Sequence, residues 1–262
     1  MKDNNLLKFF LTRKINWVII GYLFLGIFFV AAECGATNFW TIFLYVMSSY
    51  KFCLAFLYPT FILIFINFYQ LLDSRDDIIL RLKERTKYFK YYLKNSLMII
   101  AYYMLVLLLL MGIAINLRGV SSYNLVLYRD YTNKFLPIPL IILKTFFTLL
   151  EFNLIEFSLS AKFNNQKISV IISLILEILI ASSIDFYNYE SILRFINPGF
   201  YAFSLGFCTN AYLELLMCGI YHLIIISILV LLSLKIIKNN STNSCCRIIS
   251  CTTYNYCISA KS

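Results

Sequence analysis

The sequence predicts an all-α integral membrane protein of six transmembrane helices with both termini cytoplasmic. Three observations carry that expectation. Hydrophobic residues fill 61% of the 262 positions, whereas a soluble domain has about 45–50%. Six apolar stretches, at 15–32, 52–72, 96–117, 135–160, 168–184 and 220–237, are each long enough to cross a hydrocarbon core of roughly 30 Å. The cations are also segregated. Of the 23 Lys and Arg residues, 17 are counted with the N-terminus, the second loop, the fourth loop and the C-terminus, among them Lys235 at the very end of the sixth stretch; five lie in the other loops, and Lys144 is the one cation deep inside a span. Cytoplasmic loops carry the Lys/Arg excess, so those four segments face inward.

The net charge of +10 would suggest nucleic acid in a soluble chain. Here topology accounts for it, and no nucleic-acid partner is expected. Lys8, Arg13 and Lys14 followed by an apolar run ending at Glu33-Cys34 imitate a signal peptide. Glu33 is unsuited to a lipoprotein cleavage site, so the run is expected to be the retained first span. The eight cysteines make no framework: Cys245, Cys246, Cys251 and Cys257 fall in the inner tail, where thiols stay reduced. The chain has no C-x-x-C pair and its single histidine is His222, so neither a metal site nor a cofactor is expected. No P-loop, H-E-x-x-H or G-x-S-x-G motif occurs, and Ser182 and Ser183 have no neighbouring base. An enzyme is therefore not expected.

Taken in order, Leu6 to Leu11 with Lys8, Arg13 and Lys14 read as an amphipathic N-terminal helix on the inner leaflet, with Trp17 at headgroup level. Phe39 to Met47 is apolar but too short to span, and is expected at the outer interface or as an extension of the second span. Between spans 2 and 3, Ser74 and Asp77 resemble a capping box. Ile78, Leu82 and Phe89 fall within about 40° of one another at 100° per residue, opposite a lysine stripe at 83, 87, 90 and 94. A cytoplasmic amphipathic helix is predicted there. Pro137 and Pro139 open the fourth span. Residues 185–219 form a long apolar loop whose Pro198-Gly199 favours a segment that dips into the membrane and returns; a seventh span is the alternative. Residues 1–238 form the transmembrane domain. From 239 the composition turns to Ser, Thr, Asn and Cys, and a disordered cytoplasmic tail is expected to 262.

Besides Lys235 at the end of the sixth, four charges fall inside spans: Lys144, Glu151 and Glu156 in the fourth and Glu177 in the fifth. Each costs about 2.5–3.5 kcal/mol on insertion scales and calls for a partner or a cavity. Lys144 and Glu151, seven residues apart, share nearly one face. Lys144 with Glu177 is a feasible pair between adjacent helices, and Glu156 is near the inner surface. Two readings stay open: a buried ion pair that orients helices, or the polar lining of a substrate path.

This layout resembles the membrane subunit of ABC-2 (type V) ABC exporters: six spans with both ends inside, an amphipathic N-terminal helix, a coupling helix between spans 2 and 3, and a re-entrant segment before span 6. The corresponding pieces are Leu6 to Lys14, Asp73 to Lys90 and Asp185 to Gly219. More loosely, the chain is similar to the aromatic-rich permeases of bacteriocin and lantibiotic systems. The resemblance is architectural and does not include the Cys-rich tail. It implies a permease in the bacterial plasma membrane that exports peptides, lipids or drugs. The partners it implies are a separate ABC ATPase, a second permease in a homodimer or heterodimer, and membrane lipid. Its ATPase-coupling residues would be Asp77, Ile78, Arg81, Leu82, Arg85 and Phe89. Rival readings are a non-transporting immunity or assembly protein and a membrane-embedded enzyme.

Overall fold

Apolar runs in a medium without water must satisfy their backbone internally, and this chain does so with helices. In the computed structural model, residues 13–73, 85–125, 135–163, 166–183, 197–202, 205 and 210–259 are described; side chains are described for these except 68–73, 85–86, 166–167, 181–182, 200, 211 and 238–259. Among the described residues there is no strand, only an isolated bridge between Asn38 and Ser122. The elements are α1 (Lys14–Glu33), α2 (Phe39–Ser48), α3 (Tyr50–Phe52) with a π-helical turn (Cys53–Leu57) leading into α4 (Tyr58–Asp73), α5 (Arg85–Leu117), α6 (Pro137–Phe163), α7 (Gln166–Ser182), α8 (Pro198–Ala202) and α9 (Ala211–Ser259).

Five helical stretches are long and apolar enough to cross a membrane: Lys14–Glu33, Tyr50–Asn67, Lys87–Leu117, Pro137–Phe163 and Tyr212–Ile237. This is the build of a multi-pass membrane protein. Large apolar side chains point outward along these helices, among them Val18, Phe29, Leu109, Leu216 and Leu231, each more than half exposed. Such a surface suits lipid and would be a liability in water. The apolar stretch expected as a fifth span lies on α7, which has 17 residues and an apolar core at Ile168–Ile180.

Local chemistry explains the irregular elements. Pro59 has no N–H to offer the carbonyl of Ala55. The helix widens just before it, where Tyr58 N–H bonds to Cys53 O in a π turn. Tyr22 O–H of α1 donates to Ala55 O at 3.3 Å, and Tyr103 O–H of α5 to Leu57 O at 2.6 Å. Side chains from two neighbouring helices thus satisfy carbonyls around the π turn. α1 can approach this closely because Gly26 faces Phe56; a Cβ at Gly26 would land on that ring.

The stretch from Phe39 to Met47 is not a continuation of the second span, because the backbone is extended at Ser49. It forms a separate helix, α2, with Ile42, Phe43, Leu44, Val46 and Met47 buried. Asn38 caps it, accepting from Trp40 N–H and Thr41 N–H. The same side chain donates to Ser122 Oγ and, at 2.7 Å, to Asn124 O. Arg118 donates to Cys34 O, so the α1–α2 junction is clamped to the end of α5. Gly119 ends α5 with φ +87°, a left-handed conformation that glycine adopts without cost.

α6 and α7 are joined through residues 164–165 and pack on each other, while α9 packs chiefly on α6. Pro137 opens α6 at the first helical position, where its missing N–H is harmless. Pro198 likewise starts α8 rather than breaking a helix. Asn197 ties α8 to the end of α7, donating to Ser183 O at 2.8 Å and accepting from Ser183 O–H and Gly199 N–H. α9 begins at Ala211, nine residues before the sixth span read from the sequence, because Gly219 sits within the helix instead of bounding it. Glycine is tolerated in lipid-embedded helices. The backbone of α9 continues helical to Ser259, into the Ser/Thr/Asn/Cys-rich region.

Candidate functional site: the charged seam between α6 and α9

Three polar rungs join α6 to α9. Lys144 Nζ meets Glu214 Oε1 at 2.7 Å, with side chains 1% and 0% exposed. Glu151 Oε1 meets His222 Nδ1 at 2.8 Å. Ser158 Oγ meets Ser233 Oγ at 2.7 Å. The α6 members are seven residues apart, so each falls on nearly the same face two turns further on. Their partners follow in the same order along α9, so the two helices run in the same direction.

The partner of Lys144 is therefore Glu214 and not Glu177. Glu214 falls in the 185–219 stretch, where the sequence predicts a long apolar loop instead of the start of a helix. Once α9 begins at Ala211, Glu214 lies on its first turn, eight residues before His222. Its signal was a lone carboxylate among apolar residues, followed eight positions later by the chain's only histidine. His222 was legible only as a residue in the last span; its pairing with Glu151 needed the tertiary structure.

Aromatic rings hold the middle rung. Phe147 stacks on the His222 ring at 5.4 Å, and Tyr221 meets it edge-on at 5.6 Å. Tyr221 in turn stacks on Tyr201 of α8 at 4.0 Å with the planes 5° apart. An unbroken line of rings thus runs from α8 through α9 to α6.

Glu177 faces the π turn from α7, within electrostatic reach of Cys53, Tyr58 and Tyr103. It is 1% exposed, and neither carboxyl oxygen has a hydrogen-bond partner among the described residues. Glu156 is buried, at 4% exposure, and its Oε2 has no hydrogen-bond partner among the described residues. So the structure joins Lys144 and Glu151 in one seam and leaves Glu177 outside it.

Of the expected coupling residues, Asp77, Ile78, Arg81 and Leu82 lie outside the described residues, and Arg85 only opens the α5 backbone. Among the six, Phe89 alone is described with its side chain. It is 3% exposed, with its ring 5.6 Å from that of Phe157 of α6. It belongs to the bundle interior because α5 extends as one helix from Arg85 into the third span.

Beside the upper two rungs lies a cleft of about 460 Å³. Leu140, Leu143, Phe147, Leu216 and Leu223 supply its apolar lining, and Lys144 and His222 its polar residues. No group of three or more His, Cys, Asp or Glu suited to a metal occurs among the described residues. No family model, curated protein or solved structure matches the chain.

Proposed function

We propose that this protein is the permease subunit of an ATP-driven ABC exporter in a bacterial plasma membrane. It would form the pathway with a second permease and draw its energy from a separate ATPase. The observation that carries the reading is the α6–α9 seam. Lys144, Glu151, Glu156, Glu177, Glu214 and His222 lie in or near the hydrophobic region, four of them in two cross-helix pairs. Side chains of this kind inside a membrane face a bundle interior or a cavity and mark transport routes.

A six-span topology is supported by the shared direction of α6 and α9. The chain must travel back between them, and α7 is the helix that does so. At about 26 Å it is slightly shorter than a hydrocarbon core, a mismatch that local thinning of the bilayer absorbs. The re-entrant reading of the segment before the last span is supported by Tyr201. It stacks on Tyr221, which lies ten residues, about 15 Å, along α9 from its start.

The coupling contact would be made by Ile78 and Leu82 as apolar anchors with Asp77, Arg81 and Arg85 around them. Phe89 is spoken for inside the bundle. The test is co-purification of the tagged full chain from its native membrane. An ATPase with a Walker motif should accompany the wild type, and Leu82→Asp should remove it while the permease still inserts. Retention of the ATPase by Leu82→Asp would show that this loop is not the coupling element. Absence of any such ATPase from the wild-type sample would remove the exporter reading.

A further inference from the structure

We infer that a row of buried waters runs between α6 and α7 and ends at Glu177, a carboxyl that binds and exchanges a proton there. The face of α7 comes first. Among its described side chains, those at 168–180, three are buried and all three are polar: Ser169, Ser173 and Glu177. They recur every four residues and so share one strip. The large apolar side chains Ile171, Ile175, Ile178 and Leu179 point outward, each more than half exposed. A membrane helix that turns its isoleucines out and its polar groups in has a polar interior to face.

α6 matches it level by level. The two helices are joined through residues 164–165 and pack on each other, so they run antiparallel, and equal distances from that junction are equal depths. At 1.5 Å per residue, Ser160 and Ser169 lie about 7 Å from it, Glu156 and Ser173 about 13 Å, and Asn153 and Glu177 about 17–19 Å. Asn153, Glu156 and Ser160 fall within about 60° of one another on α6, and all three are buried. Glu156 is one turn from Phe152, whose ring meets that of Tyr58 at 5.2 Å, and Tyr58 is within electrostatic reach of Glu177.

Direct bonds do not satisfy these groups. Asn153 Nδ2, Glu156 Oε2, Ser173 Oγ and both oxygens of Glu177 are buried with no hydrogen-bond partner among the described residues. Ser173 and Glu177 are 0% and 1% exposed. Ser158, Ser227 and Ser233 each donate to the carbonyl four residues back in their own helices. Ser173 does not, so its hydroxyl is left for the interior. The set holds both signs. An amide nitrogen only donates, and carboxyl oxygens accept. A metal cation would satisfy the acceptors alone and an anion the donors alone; water satisfies both. Successive levels are about 6 Å apart, a step that one water spans with a hydrogen bond of about 2.8 Å to either side.

At the end of the row, Glu177 has no cation beside it. Its titratable neighbours are Cys53 and Tyr58 of the π turn and α4 and Tyr103 of α5. The other elements packed on α7 bring Glu156 of α6 and Tyr201 of α8. Of the α6 cations, Lys144 is paired in the seam with α9, and Lys162 is exposed near the junction. A buried carboxylate without a counter-charge is far costlier than the neutral acid, so Glu177 rests protonated. It passes that proton to the adjoining water as hydronium and takes one back by the same row; no electron moves and no other bond changes. Neither the row nor the proton rests on the permease reading.

The experiment is infrared difference spectroscopy of the full chain in nanodiscs, wild type against Glu177→Gln, in H2O and after transfer to D2O. The wild type should show a carboxylic C=O band that Glu177→Gln removes, and that band should shift in D2O within minutes. Glu156→Leu with Ser173→Ala takes two groups out of the middle of the row, so exchange then waits on local opening and should be about tenfold slower or more. Hydroxyl-radical footprinting with X-rays needs no variant. Radicals formed from bound water should oxidise Phe152 and Phe157 of α6, while the similarly buried Phe43 of α2 stays unmodified. If Glu177→Gln does not fold, dicyclohexylcarbodiimide, which attacks protonated carboxyls, should modify Glu177 of the wild type, as read by mass spectrometry. No C=O band from Glu177, or no carbodiimide adduct on it, would mean an ionised group and overturn the proton site. A band that stays unshifted for hours, a shift as fast in the double variant, or Phe152 and Phe157 as unreactive as Phe43 would each mean a dry interior and overturn the row of waters.

Discussion

At the scale of single residues, the Lys144–Glu214 rung is the most demanding feature of the chain. Both groups are buried, and each meets an opposite charge 2.7 Å away. Lys144→Ala removes the cation 2.7 Å from the buried Glu214 carboxylate, at a cost of roughly 3–5 kcal/mol. The expected result is a lower yield and a lower melting temperature in detergent. Lys144→Met together with Glu214→Leu removes both charges at similar volume and should restore folding. An unchanged melting temperature for Lys144→Ala would mean the rung contributes nothing to the fold. If the double variant folds and transports, the rung orients helices only; if it folds and transport is lost, the rung belongs to the route.

At the scale of elements, the short helix α2 depends on one side chain at its start. Asn38 caps it and reaches across to Ser122 and Asn124 beyond the end of α5. Asn38→Ala removes the cap and the cross-link together, and should cost about 1–2 kcal/mol. Asn38→Asp retains the accepting oxygens and loses the donor, so it should fall between wild type and Asn38→Ala in thermal stability. Equal losses for both substitutions would place the whole effect in the cross-link. The π turn illustrates the same coupling of element to neighbour. Pro59 disturbs the backbone locally, and Tyr22 and Tyr103 from α1 and α5 supply donors to carbonyls around the turn. This element is held in shape by the helices around it.

At the scale of the whole molecule, the testable quantity is topology. The proposed topology has the tail inside and the 185–219 region outside. A membrane-impermeant maleimide applied to intact cells should therefore modify Cys208 but neither Cys245 nor Cys246. Cys34 is a poor reporter, because it is 7% exposed and packed in the bundle. External modification of the tail cysteines would defeat a six-span arrangement. The parallel course of α6 and α9 bears on the same point, since a chain with no return limb between them could not place its rungs in that order.

The apolar runs determined the helices by themselves, because in lipid a helix is the only open-chain way to satisfy every backbone group within one segment. That reasoning needs no neighbour, and it located the membrane helices from residue composition. It placed boundaries less well where a glycine or proline has two meanings. Gly219 read as an end and lies within α9; Pro198 read as a breaker and begins α8. Which charge meets which was beyond the sequence altogether. Lys144 had acidic candidates on its own helix and on the next, and periodicity fixes only the face on which a charge sits. The choice of Glu214 over Glu177 was made by the packing of α9 on α6, because a pairing between helices depends on their rotation, depth and distance. Those quantities are set by side chains meeting across the bundle, and only the tertiary structure decides them.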